Sequence, residues 1–260
     1  RLFLGFLGLL PFFIYFEFNE IKKINFNLKK VFFFTLILGS IFGMANILQQ
    51  VSLLYTDIAN SAVFTVLYVV IVPLISYFIF SIKIHPSIWP SVTLCLIGGL
   101  LLSEIKNYDV RFGDMLVIIG AFFWAFHIIF IYKVLKIFNF PIAIATFQCL
   151  VAGIFCSFPA LAFETVTINL ISKEITELLY AGILSSGVAF MLQAYAQRVL
   201  SPASVAIIFS LEGVFASIFG WILLDQFLSE IKVFGIMIIL LAVIFSQLIP
   251  IYGKKNYGRI

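Results

Sequence analysis

The chain has 260 residues, 63% of them hydrophobic and 11% charged, with a net charge of +4 and a mean hydropathy of +1.18. A soluble domain carries about a quarter charged residues, so a globule in water, with the surplus Phe, Ile and Leu on its surface, is excluded. Lipid is the solvent that accepts this composition, and the sequence reads as an all-α polytopic membrane protein. The basic residues gather in joints and termini, where membrane orientation explains them and nucleic-acid binding does not.

A helix needs about 20 apolar residues to cross the hydrocarbon core. Nine runs approach or meet that length, at 2–18, 31–54, 58–82, 87–103, 113–132, 141–163, 178–197, 203–224 and 231–252. The opening run starts "RLFLGFLGLL" without Met, and no cleavable signal peptide is expected there. "EFNEIKKINFNLKK" is the longest basic joint, "SEIKNYDVRFGD" and "ETVTINLISKEITE" are mixed, and "RVLSP" is barely a turn. No joint holds a soluble domain, so the activity is expected inside the membrane. Cys95, Cys149 and Cys156 all lie in apolar runs, where a thiol packs as a small apolar group. A disulfide framework, a metal site and a cofactor are not expected.

Nine spans alternate the joints between two sides. One side collects Lys22, Lys23, Lys29, Lys30, Lys83, Lys133, Lys136, Arg198, Lys254, Lys255 and Arg259. The other receives Arg1, Lys106, Arg111, Lys173 and Lys232. The side richer in Lys and Arg is expected in the cytoplasm, which puts the C-terminus inside.

The stretch 39–70 aligns with 182–214: Gly39 falls on Gly182, Gln50 on Gln193 and, after a one-residue gap, Ala59 on Ala203 and Leu67 on Leu211. Spans two to four then match seven to nine, and span one with Pro11 matches span six with Pro159. Span five lacks a partner unless a helix precedes Arg1. The expected fold is therefore nine transmembrane helices of a ten-helix parent, two inverted five-helix repeats with the first helix missing. Secondary transporters are built this way, with solute sites near the midplane between the repeats.

Three stretches carry a family resemblance: "LYTDIANSAVFTVLYVVIVPLIS" (54–76), "GDMLVIIGAFFWAFHIIFI" (113–131) and "FSLEGVFASIFGWILLDQFLSEIKVFG" (209–235). In order and over essentially the whole chain, the sequence resembles the drug/metabolite transporter (DMT) superfamily, its EamA-type domains in particular. The resemblance implies an N-terminal EamA-type repeat at 1–103, lacking its first helix, and a C-terminal one at 113–252. It also implies export of amino acids, other metabolites or drugs across a bacterial inner (cytoplasmic) membrane. Two positions depart from the family pattern. Gly213 stands where a Pro follows the helix-nine Glu, and Asp225-Gln226 replaces a Gly-Glu pair.

Glu212 lies near the middle of its span. An acid there costs roughly 2.5–3.5 kcal/mol on insertion scales and should face the bundle interior, as a substrate partner, a proton carrier or a structural hydrogen-bonding group. Gln50, Gln193 and Asn46 are further candidates for reading a zwitterion, set against the common role of amides in joining helices. Tyr68, the repeat counterpart of Glu212, is a candidate partner for it. Trp124 offers an aromatic wall, and His127 beside it is a second proton-coupling candidate, though a satisfied core histidine explains it as well. Asp57 and Asn60 are expected to cap span three, and Pro73 to kink it. Gly98-Gly99 and Gly39–Gly43 permit close helix approach.

No motif of an intramembrane enzyme is present, nor a ring of like charge as in a channel filter, and no soluble domain suits a scaffold or receptor. The expectation is alternating access driven by a gradient, with protons as the coupling ion if Glu212 or His127 titrates. The expected partners are a small-molecule substrate and the bilayer, with a homodimer compatible and no nucleic acid.

Overall fold

A computed structural model describes residues 1–24, 27–103, 111–163, 168–225 and 227–256. Lys106, Gln226 and Arg259 of the sequence reading lie outside these. Every regular element among the described residues is helical: α1 Leu2–Phe16, α2 Phe18–Lys23, α3 Leu28–Ser52, α4 Ile58–Val66, α5 Tyr68–Phe78, α6 Ile88–Ser103, α7 Phe112–Ile137, α8 Pro141–Phe163, α9 Ile168–Lys173, α10 Ile175–Leu179, a π-helical segment Tyr180–Val188, α11 Ala189–Gln197, α12 Pro202–Phe209, α13 Leu211–Leu224 and α14 Glu230–Asn256.

Seven stretches among the described residues are long and apolar enough to cross a bilayer, at 29–52, 60–78, 112–137, 141–163, 175–197, 202–223 and 230–249. The other two predicted runs form apolar helices of 15 and 16 residues, α1 and α6. At 1.5 Å per residue each reaches about 23 Å, short of the roughly 30 Å core. Large exposed apolar side chains such as Phe32, Phe33, Phe215, Phe219 and Ile222 would aggregate a protein in water. They suit a lipid-facing surface, and the chain is a multi-pass membrane protein.

Two predicted spans are interrupted. The third breaks at Leu67, between α4 and α5; Pro73, expected to kink this span, is buried within α5. The eighth breaks at Ser210, between α12 and α13. Both breaks are single tightened turns: the Leu67 N–H donates to Phe64 O at 3.2 Å and the Ser210 N–H to Ile207 O at 3.2 Å, three residues back rather than four. In the seventh span the ladder widens instead, and the Ala189 N–H reaches Leu184 O, five residues back.

The described helices form two compact units, and each draws on both halves of the sequence. Unit 1 holds residues 1–47 and 129–200. Its core joins Phe13, Leu38, Ile131, Val134, Ile142 and Ala194. Lipid tails are as apolar as Leu, so helices associate in membranes through close packing rather than through apolar burial. The glycines show where this happens. A Cβ on Gly39 of α3 would lie 2.5 Å from Val151 of α8, and one on Gly182 would lie 2.5 Å from Leu4 of α1. These two glycines are the pair matched in the sequence alignment.

At one end of unit 1, α8 starts with Phe140-Pro141. Pro141 has no N–H to satisfy, and Phe140 has no side-chain acceptor to cap the next donors. Glu17, just past the end of α1 and 6% exposed, supplies one: its Oε1 accepts from the Ile142 N–H at 3.0 Å and its Oε2 from the Ala143 N–H at 2.7 Å. Burial pushes the Glu17 carboxyl up from its ordinary range, while these two donors and the charge of Arg198 draw it back.

Unit 2 holds residues 48–128 and 201–260. Its α6 and α14 cross glycine to glycine: a Cβ on Gly98 would lie 2.9 Å from Gly235 O, and one on Gly235 would lie 2.8 Å from Gly98 O. A polar clasp ties the α3–α4 joint to the start of α7. The fully buried Asp114 accepts from the Thr56 hydroxyl and, at 2.8 Å, from the Arg111 N–H. Asp57 occupies the N-cap position of α4 but makes no side-chain cap there; its carboxylate instead pairs with Arg111 at 2.8 Å.

Candidate functional site

The interruption of α12 and α13 changes the setting of Glu212. A continuous span would strand its carboxylate in the middle of a helix, with no free backbone donors near. The break at Ser210 makes it the second residue of α13, in the first turn, where the helix dipole favours negative charge. Glu212 is exposed on the helix surface.

The break between α4 and α5 places Tyr68 in the matching position, as the first residue of α5. In the sequence alignment Tyr68 falls on Glu212, and the two breaks, at Leu67 and Ser210, differ from that register by one residue. Both lie in unit 2, where α5 packs on α12. Tyr68 is 5% exposed and within electrostatic reach of Glu212 and Cys95. Ser210, at the break itself, donates its hydroxyl to Ile207 O at 2.6 Å, and its Oγ lies 3.4 Å from Cys95 Sγ on α6. Tyr68, Cys95, Ser210 and Glu212 thus form one polar cluster within otherwise apolar helices. The sequence marks Cys95 only as a packing thiol, and Ser210 carries no signal that separates it from the other hydroxyls in apolar runs.

The remaining candidates are dispersed. His127, fully buried, and Trp124, half-buried, meet edge to face at 5.8 Å on α7. Gln50 is exposed near the end of α3 and belongs to unit 2, whereas Gln193 belongs to unit 1; their facing is not a contact within either unit. Asn46 is committed within unit 1, donating to Phe42 O at 2.8 Å and accepting from Arg1. Gln193 is 3% exposed, and its Nε2 donates to Gln197 Oε1 at 3.4 Å. Its own Oε1 meets no partner among the described residues. Gln148 and Gln197 are completely buried and were not singled out, although their signal, an amide in an apolar run, is the one that marks Gln193. The other two thiols serve packing: Cys149 donates to Ser186 O at 3.2 Å and Cys156 to Gly43 O at 3.6 Å.

Residues 111–248 match the EamA-like transporter family. A protein from Archaeoglobus fulgidus known as an uncharacterized transporter is 32% identical over 200 residues, covering 77% of this chain and 64% of its own. This chain therefore spans less than two thirds of that relative's length. A crystal structure of another protein shares the fold, with a TM-score of 0.78 over 97% of this chain and 86% of its own at 13% identity. The chain belongs to the EamA-like transporter family.

Proposed function

We propose that the protein is a secondary active carrier that moves small polar solutes, such as amino acids, amines or polar drugs, by alternating access. Its location would be a cytoplasmic membrane, with the C-terminus inside. The bacterial inner membrane expected from the sequence is widened here, because the relative is archaeal. The paired interruption of α4/α5 and α12/α13, with Tyr68 first and Glu212 second in the helix after its break, is the observation that carries this reading. Discontinuous helices at corresponding positions of two repeats are where secondary transporters bind solutes. Such breaks also supply hinges, since a tightened turn rewinds at little cost.

In this mechanism Glu212 neutralises the amine of a substrate or carries the coupling proton, and Tyr68 orients the same ligand through its hydroxyl. Gln193, with its unpartnered Oε1, is a further polar candidate. His127, fully buried beside Trp124 on α7, is the second candidate for carrying the proton.

The test is uptake of a mixed amino-acid and metabolite pool into proteoliposomes under an imposed pH gradient. Glu212→Gln is expected to cut the flux of the transported solute at least ~10-fold, the loss of one charged contact. Equal flux in both proteins would remove Glu212 from the site. Flux indifferent to the pH gradient in the wild type would remove proton coupling.

A further inference from the structure

The end of unit 1 that carries the Glu17 cap also carries a pocket of about 490 Å³. It opens between the end of α7 and the end of α11, and Lys136, Asn139, Tyr195, Gln197 and Arg198 supply its polar groups. It shares no residue with the Tyr68–Glu212 cluster. Two cations face one cavity here, and neither is in an ion pair among the described residues. Instead, each stands by an aromatic ring: Lys136 Nζ is 5.0 Å from the Tyr132 centroid and the Arg198 guanidinium 5.9 Å from that of Tyr195. Glu17 is within electrostatic reach of Arg198, and both of its oxygens are taken by the α8 backbone.

The depth of the pocket is also informative. The apolar run of α7 ends at Lys133 and Lys136, and α8 re-enters at Pro141, so the pocket lies at the boundary between hydrocarbon and water. Leu135 and Val199 line its wall, and Val199 is 84% exposed. Positive charge, an amide donor and an apolar rim at that depth match a phosphate with a hydrocarbon tail. Basic pockets between transmembrane helices bind anionic headgroups in this way, and arginine adds a fork of donors for phosphate oxygens.

We propose that this pocket is a binding site for a phosphate-bearing anion, with Lys136 and Arg198 as its charged partners and Asn139 as a neutral one. The ligand is an anionic phospholipid headgroup or free phosphate, which share this chemistry.

The test uses the purified full chain in detergent and counts retained molecules by native mass spectrometry. Separate arms add phosphatidylglycerol, phosphatidylcholine or inorganic phosphate. The wild type is expected to retain phosphatidylglycerol over phosphatidylcholine. Lys136→Gln combined with Arg198→Gln should weaken that retention roughly 30-fold, the loss of two interfacial charges. Lys136→Arg should keep it. Lys22→Gln with Lys23→Gln, on the neighbouring exposed α2, should leave it unchanged. Phosphate bound without any preference among the lipids, and lost in the same double variant, would assign the site to the free anion. Wild-type retention in the double variant overturns the site, as does an equal loss on changing Lys22 and Lys23. Absence of binding in all three arms overturns it too. Because the readout is retention and not flux, the result is independent of the carrier reading.

Discussion

Replacing Asp114 by Ala is expected to lower stability by about 2–4 kcal/mol, because it orphans two donors at a buried site. Asp114 is completely buried. Its Oδ2 accepts from the Arg111 N–H at 2.8 Å, an acid in the first turn of α7 reaching back to the residue before the helix, which is half of a capping box. Its Oδ1 accepts from the Thr56 hydroxyl at the end of the α3–α4 joint. The close approach leaves no space for compensation: a Cβ on the adjacent Gly113 would lie 2.7 Å from Ser52 O. Thermal unfolding in detergent checks the prediction. Asp114→Asn should cost roughly half as much, since its amide keeps one acceptor and sets an N–H against the other donor. A loss below about 0.5 kcal/mol in Asp114→Ala would mean that the clasp contributes nothing.

Gly98→Ala and Gly235→Ala are each expected to cost about 1–3 kcal/mol, the range for overpacking a tight contact. Each added methyl points at the other helix's backbone: 2.9 Å to Gly235 O from Gly98, 2.8 Å to Gly98 O from Gly235. Backbone cannot rotate away as a side chain can, so α6 and α14 must separate. One separation relieves both, and the double variant should cost less than the sum of the singles. The neighbouring Gly99 is the internal control. Its Cβ would meet Val66 Cγ1 at 3.4 Å, an ordinary contact, and Gly99→Ala should change stability by less than about 0.5 kcal/mol. If Gly99→Ala proved as costly as Gly98→Ala, the close crossing would not be the cause.

Much of this was legible in the chain itself. Long apolar runs mark the spans, and an acid in the middle of one draws attention to Glu212 at once. Gly98 was legible as a small residue, but Gly235 was not, because a crossing is known only from both helices. The break at Ser210 was hidden for a related reason: "FSLEG" offers a glycine at 213, yet the turn tightens three residues earlier, where Ser210 bonds back to Ile207 and sits by Cys95. At Leu67 no helix breaker stands in the sequence; the proline of this span, Pro73, lies six residues further on, inside α5. Asp225 is a different case. It closes α13 in the left-handed region, with φ 51°, the conformation a glycine adopts freely, so the family's Gly at that place was a structural clue. The caps were least visible. Asp57 looked like the cap of α4 but was drawn to Arg111, and α8 borrows its cap from Glu17, 125 residues away.

The central claim is that the two breaks present Tyr68 and Glu212 to one solute. A double-mutant cycle on transport addresses it most directly, with wild type, Tyr68→Phe, Glu212→Gln and the double variant assayed in proteoliposomes under a pH gradient. If both side chains serve one site, the double variant should lose no more flux than the weaker single, with a coupling of about 1 kcal/mol or more. Losses that simply multiply, or a Tyr68→Phe protein that transports as the wild type does, would contradict a shared site.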